Sequence, residues 1–257
     1  MIRRAGGVGV LGALLGTIVV SGQVVATPPI IAAAALLPPL GWAGLVLLLD
    51  RHTRESWAPL CASFLWGAAA AALVASEVND ALLATALGDA VPMLLARPHR
   101  QDDPLDGIVY GALAGLGFAA TENLGYYTLA ALQDGAPGLT RALWLRGLLQ
   151  GLNHAAFTAT VGAAVGWAWG TGGRRPARAA IVLVGLGLAV LVHAVWNAVA
   201  SEAITQVLCG APTPGAACTP NPAALDLLVT VPILVATFVG PLALVLFAIA
   251  TRATRTP

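Results

Sequence analysis

Lysine is absent from this chain: all 13 of its basic residues are arginine. We read that bias as the mark of a GC-rich bacterial coding sequence, and it says nothing about chemistry. Charge of either sign is scarce, at 10% of residues against roughly 25% in an average soluble domain. A soluble globular surface is thereby excluded. The net charge of +1 and the lack of a basic run exclude nucleic acid and acidic molecules as partners. No glycine loop of the phosphate-cradling kind occurs either. Only three cysteines are present. Cys61 lies in an apolar run and reads as an inert buried thiol.

What fills the chain is apolar sequence, 58% of residues. Runs long enough to cross a bilayer recur at about 8–26, 30–49, 57–75, 80–96, 107–132, 142–170, 177–203 and 223–250. The predicted fold is therefore all-α, a polytopic integral membrane bundle of about eight transmembrane helices. It forms a single domain over 1–257, because the longest connection, about 204–222, is too short to fold alone. The first run, with Met1-Ile-Arg-Arg before it and Val-Val-Ala at its end, also fits a cleaved signal peptide. Its length favours a retained helix.

Arginine placement sets the orientation. With the N-terminus in the cytoplasm, every arginine except Arg141 and Arg146 falls at a cytoplasmic position, as the positive-inside rule requires. Both termini are then cytoplasmic, in a bacterial inner or plasma membrane. The same topology puts the loop between Cys209 and Cys218 outside, where a disulfide can form.

Within this apolar sequence, 107–127 carries Glu122 and Asn123 deep in a run that is otherwise hydrophobic. A carboxylate in hydrocarbon is expensive and faces a protein or water-filled interior, where it marks function. Gly111, Gly115 and Gly117 offer surfaces on which neighbouring helices can approach closely. Phe118, Glu122 and Tyr126 are spaced four apart. Arg146, Gln150, His154 and Thr158 repeat at the same interval in the sixth span, and His193, Asn197 and Ser201 in the seventh. Residues four apart share a helix face. At about 1.5 Å per residue, Glu122, His154 and His193 converge to within about 10 Å of one level.

Two chemistries suit a carboxylate with two imidazoles. The glutamate can act as general base toward water while the histidines stabilise an oxyanion. Alternatively, His154, His193 and Glu122 can hold a zinc ion that activates a bound water. The bland reading is a hydrogen-bonded network that locks three helices together. Arg146 reads as a partner for a carboxylate or as a snorkelling residue. Asp102, Asp103 and Asp106 read as a solvated turn and helix start. Trp144, Trp167 and Trp169 read as interfacial anchors or packing residues, and Trp196 is ambiguous.

These residues resemble the PrsW family of intramembrane proteases, related to the CAAX prenyl endopeptidases. Asp103-Pro-Leu-Asp-Gly-Ile-Val-Tyr-Gly111, running into Gly115-Leu-Gly-Phe-Ala-Ala-Thr-Glu-Asn123 and Tyr126, is similar to the family's second motif. Arg146 with His154 and Thr158 is similar to the third. Leu191-Val-His-Ala-Val-Trp-Asn197 is similar to the fourth. The resemblance covers a core of about 77–203. It implies catalytic roles for Glu122, His154, His193 and Asn197, supported by Phe118, Asn123, Tyr126, Arg146 and Asp89. It also implies a membrane-anchored protein or peptide as substrate.

One departure is plain. The family's first motif, Glu-Glu-x-x-Lys, has no counterpart in 76–96, where the acids are Glu77, Asp80 and Asp89. Two functions stay open on this basis. One is proteolysis of a membrane-anchored protein by water activated at the Glu/His site. The other is a catalytically inactive family member acting as a membrane binding or scaffold protein. A proton or ion pathway is disfavoured, because neither an internal repeat nor a matched pair of broken helices is present.

Overall fold

A computed structural model describes residues 24–49, 57–77, 103–149, 151–170 and 173–200, with isolated positions 18 and 22. The expected spans at 80–96 and 223–250, Asp89, Gln150, Cys209 and Cys218 lie outside the described residues, as does most of the first span. Within the described residues the structure is helical and contains no strand. The elements are α1 (Pro29–Leu49), α2 (Trp57–Glu77), α3 (Pro104–Ala142), a π-helical segment (Leu143–Leu149), α4 (Asn153–Gly170) and α5 (Arg175–Ala200).

Two of these, over Pro29–Leu48 and Arg175–Ala194, are long and apolar enough by length and composition to cross a membrane. Helix α1 begins with proline at its first position, where the missing N–H costs nothing. It runs on through Pro38 and Pro39, which membrane helices tolerate when neighbours re-satisfy the freed backbone groups. The start of α3 follows from its local sequence. Asp103 is extended and its Oδ1 accepts from the Leu105 N–H at 2.6 Å, with Pro104 next in line. That is an N-cap followed by a proline pre-set for the first turn. Asp106, expected in a solvated turn, is instead buried in the first turn of α3, because α4 covers that end of the helix.

Helix α3 is the centre of the bundle and is buried along nearly all of 104–124. Glycines make this possible. A methyl group added to Gly107 would strike the Gly162 carbonyl, one on Gly111 would lie 2.5 Å from the Thr158 carbonyl oxygen, and one on Gly115 would strike the His154 carbonyl. Each four-residue step along α3 is thus matched by four residues back along α4. The two helices are antiparallel and in backbone contact, the arrangement small residues permit between helices in lipid. On another side, Gly117 meets the Phe64 carbonyl of α2, and Thr121 Oγ1 donates to the Ala68 carbonyl at 3.1 Å.

Cys61 departs from expectation: it is a free, exposed thiol. The packed side of α2 carries Leu60, Gly67 and Ala68, and one residue beyond Leu60 the side chain points away from α3. Helix α3 is also not continuous. Gly135 has φ 63°, and Gly138 lies against the Ala130 carbonyl, so the chain turns sharply at a conformation that favours glycine. The expected sixth span over 142–170 divides too, into the π segment, a turn at Gly151-Leu152 and α4.

Substitutions at the glycine seam test this packing. Gly111→Leu is expected to cost about 1–3 kcal/mol, the usual penalty for overpacking. Gly125→Ala, which adds a methyl with nothing within 4 Å, should leave stability within about 1 kcal/mol of the parent. Thermal unfolding of the detergent-solubilised protein reads both.

Candidate active site

The seam that joins α3 to α4 also aligns their polar residues. Following the same antiparallel register past Gly115 and His154 brings Asn123 opposite Arg146. The π segment carries Arg146 inward, because an extra residue per turn re-aims the side chains that follow. There Arg146 Nη2 donates to Glu122 Oε2 at 2.6 Å, and its Nε donates to Asn123 Oδ1 at 3.2 Å. The guanidinium carbon sits 3.7 Å from the centroid of the Tyr126 ring, a cation–π contact. One planar fork therefore satisfies a carboxylate and an amide while resting on an aromatic face, a task that suits arginine.

Glu122 Oε2 also lies 3.1 Å from His154 Nε2. The two groups are within ion-pair range of one another. The Glu122 side chain is 25% exposed, that of Arg146 27% and that of His154 14%. The cluster is partly buried. Asn123 is buried at 3% exposure.

Behind the carboxylate stands an aromatic wall. The His154 ring is 4.9 Å from that of Phe118 and 5.4 Å from that of His193, the second pair nearly perpendicular. Phe157 stacks on His193 at 5.0 Å and meets His154 edge-on at 6.0 Å. Trp196, buried, backs Phe157 at 6.5 Å. The structure thus gathers Glu122, Asn123, Tyr126, Arg146, His154, His193 and Phe118 from four segments. Asn197 lies in α5, but its side chain is outside the described residues. Sequence reasoning missed Phe157. Its position three residues after His154, on the same helix face, was the available signal.

A family model described as PrsW family intramembrane metalloprotease matches residues 86–237, more than half of the chain. The chain belongs to the PrsW family. It is accordingly a membrane protein of a protease family. No curated protein and no solved structure matches it. Helices α1 and α2 precede the stretch matched to PrsW, whereas every residue of the cluster lies inside it.

The family's description as a metalloprotease calls for a test of the site against a metal ion. Among the described residues, no group of three or more His, Cys, Asp and Glu side chains could hold one. The reason is visible at Glu122, whose Oε2 is engaged by Arg146 and by the His154 nitrogen that would otherwise serve as a ligand. A guanidinium at 2.6 Å also repels any cation brought to that oxygen. In this arrangement the described residues do not fit a metal centre.

The three contacts of Arg146 make a specific prediction. Arg146→Ala leaves Glu122 and Asn123 short of a donor and should lower stability by about 2–3 kcal/mol, the cost of a lost charged hydrogen bond. Arg146→Lys should recover less than half of that loss, since an ammonium cannot fork between two acceptors and lie flat on Tyr126. Denaturant titration of the three proteins checks the order.

Proposed function

We propose that this chain is an intramembrane protease that hydrolyses a peptide bond of a membrane-anchored protein. The observation that carries the reading is the contact of 3.1 Å between a partly exposed Glu122 and His154 beside an aromatic wall. A partly exposed carboxylate beside a histidine is suited to take a proton from water.

In this reading Glu122 is the general base. Water gives up a proton to the carboxylate, and the resulting hydroxide attacks the substrate carbonyl carbon. His193 donates to the oxyanion that forms. The C–N bond then breaks, and the proton passes from Glu122 to the leaving amine. The products are a new carboxyl terminus and a new amine. His154 fixes the carboxylate's orientation, Arg146 holds it through a charge-assisted hydrogen bond, and Asn197 is assigned to binding near His193. The apolar surroundings exclude bulk water and strengthen each of these interactions. We further propose one membrane domain over the whole chain, about eight spans, and both termini on the cytoplasmic side of a bacterial inner membrane.

A second reading is favoured by one observation, the lack of a Glu-Glu pair anywhere in 76–96. A chain without that pair is able to bind a membrane partner and leave it intact. The two readings part on a single experiment. Membranes from cells making the parent protein, Glu122→Gln or His154→Ala are compared by mass spectrometry for new protein termini. Proteolysis predicts termini present with the parent and reduced at least about 100-fold in both variants, in line with loss of an acid–base group, at equal protein abundance. Termini unchanged by both substitutions reject this site. A partner co-purified intact by the parent, with no new termini, identifies the binding protein.

A further inference from the structure

We infer that Trp42 of α1 is a positioning residue for the Glu122 site, acting through the π segment that carries Arg146. The inference goes beyond the proteolytic reading and is tested without any cleavage assay.

Trp42 Nε1 donates to the Gly147 carbonyl at 3.0 Å, a contact between residues 105 apart in the chain. Gly147 directly follows Arg146. Its carbonyl is one of the last four in the segment, the group for which a helix supplies no donor of its own. In an apolar setting such a carbonyl must find a partner elsewhere. The indole is that partner, so the position of α1 and the direction of Arg146 are tied through one bond.

Trp144 and Leu145 are exposed, and Leu143, Leu148 and Trp42 line an open apolar groove of about 490 Å³ between α1 and the segment. On the inner side the approach is tight. A methyl group on Gly147 would lie 2.7 Å from the Tyr127 hydroxyl and 3.1 Å from Pro38 Cγ, and one on Gly151 would strike the Trp42 indole nitrogen. Two glycines thus let the segment fit between Tyr127 and α1, and the indole bond sets where along that fit it comes to rest. A shift of one residue in the segment would turn Arg146 by roughly a quarter of a turn about the helix axis, away from Glu122 and Asn123.

The position of Trp42 outside the stretch matched to the family, 86–237, means that part of this chain's site geometry is supplied by an element that the match does not include.

A double-mutant cycle tests the inference. Trp42→Phe keeps a ring in place and removes the donor. In the parent background it should lower the Tm of the full-length protein in detergent by about 2–4 °C. In an Arg146→Gln background, where the fork to Glu122 is already gone, the same change should lower the Tm by less than half as much. A Trp42 that only packs would give equal shifts in both backgrounds, and equal shifts overturn the inference. Should Trp42→Phe prevent folding, Gly151→Ala disturbs the same bond from the other side and completes the cycle with the same criterion. The outcome is independent of proteolysis. Additive shifts remove the role of Trp42 and leave the cleavage reading untouched, whereas a parent protein that yields no new termini removes proteolysis and leaves the cycle standing.

Discussion

Placing the Glu122 carboxylate inside an apolar bundle is the constraint from which the rest of this structure follows. An unpaired charge in such a medium costs far more than a helix–helix contact returns. The chain offsets that cost with the Arg146 guanidinium at 2.6 Å and the His154 imidazole at 3.1 Å. Neither partner is on the helix that carries the glutamate. Both must be delivered from the next segments at close range, and the glycine seam of α3 meets that demand by letting α4 approach to backbone contact. A bulkier face there would hold His154 too far away to reach the carboxylate.

The same demand accounts for the irregular backbone at 143–152. A regular helix from 142 to 170 would present Arg146 and His154 on one slowly drifting face. The structure instead interrupts the helix with a π segment and a turn, and the two side chains approach one oxygen of Glu122 from separate elements. Breaking a helix in an apolar setting leaves carbonyls without donors. The Trp42 indole answers one of them, at Gly147. An irregular backbone and a tertiary contact from α1 are thus two parts of one arrangement centred on Arg146.

The aromatic wall serves a different purpose. Phe118, Phe157 and Trp196 limit how His154 and His193 can turn, and they do so without competing for the hydrogen bonds of the imidazoles. Aromatic packing of this kind adds modest energy per pair, about 0.5–1.5 kcal/mol. Its larger effect is on orientation, because a ring stacked at 5.0 Å on one face and met edge-on at another has few positions left. Two imidazoles and one carboxylate are held close together in this way.

Much of this was legible in the sequence, for reasons that are local. The glycines at 111, 115 and 117 mark surfaces for close approach, and the acids at 102, 103 and 106 mark where the helix starts. Glu122, His154 and His193 stand out because charge and imidazole are rare in such apolar runs. The spacing of Arg146 and His154 at multiples of four suggested a shared face, and they do meet the same carboxylate. The route is different, since the helix between them is broken. That break depends on Gly147 and Gly151 fitting against Tyr127 and Trp42, residues distant in the chain, and no local pattern encodes such a fit. The burial of Asp106 and the exposure of Cys61 were missed for the same reason, as each depends on which side of a nearly uniform apolar helix meets a neighbour. The sequence by itself determined the membrane setting, the helical class and the identity of the polar groups, all of which follow from composition and short-range spacing. Only the tertiary structure decided which oxygen meets which nitrogen, and that Trp42 takes part, because those outcomes depend on the close packing of helices whose apolar faces look alike in one dimension.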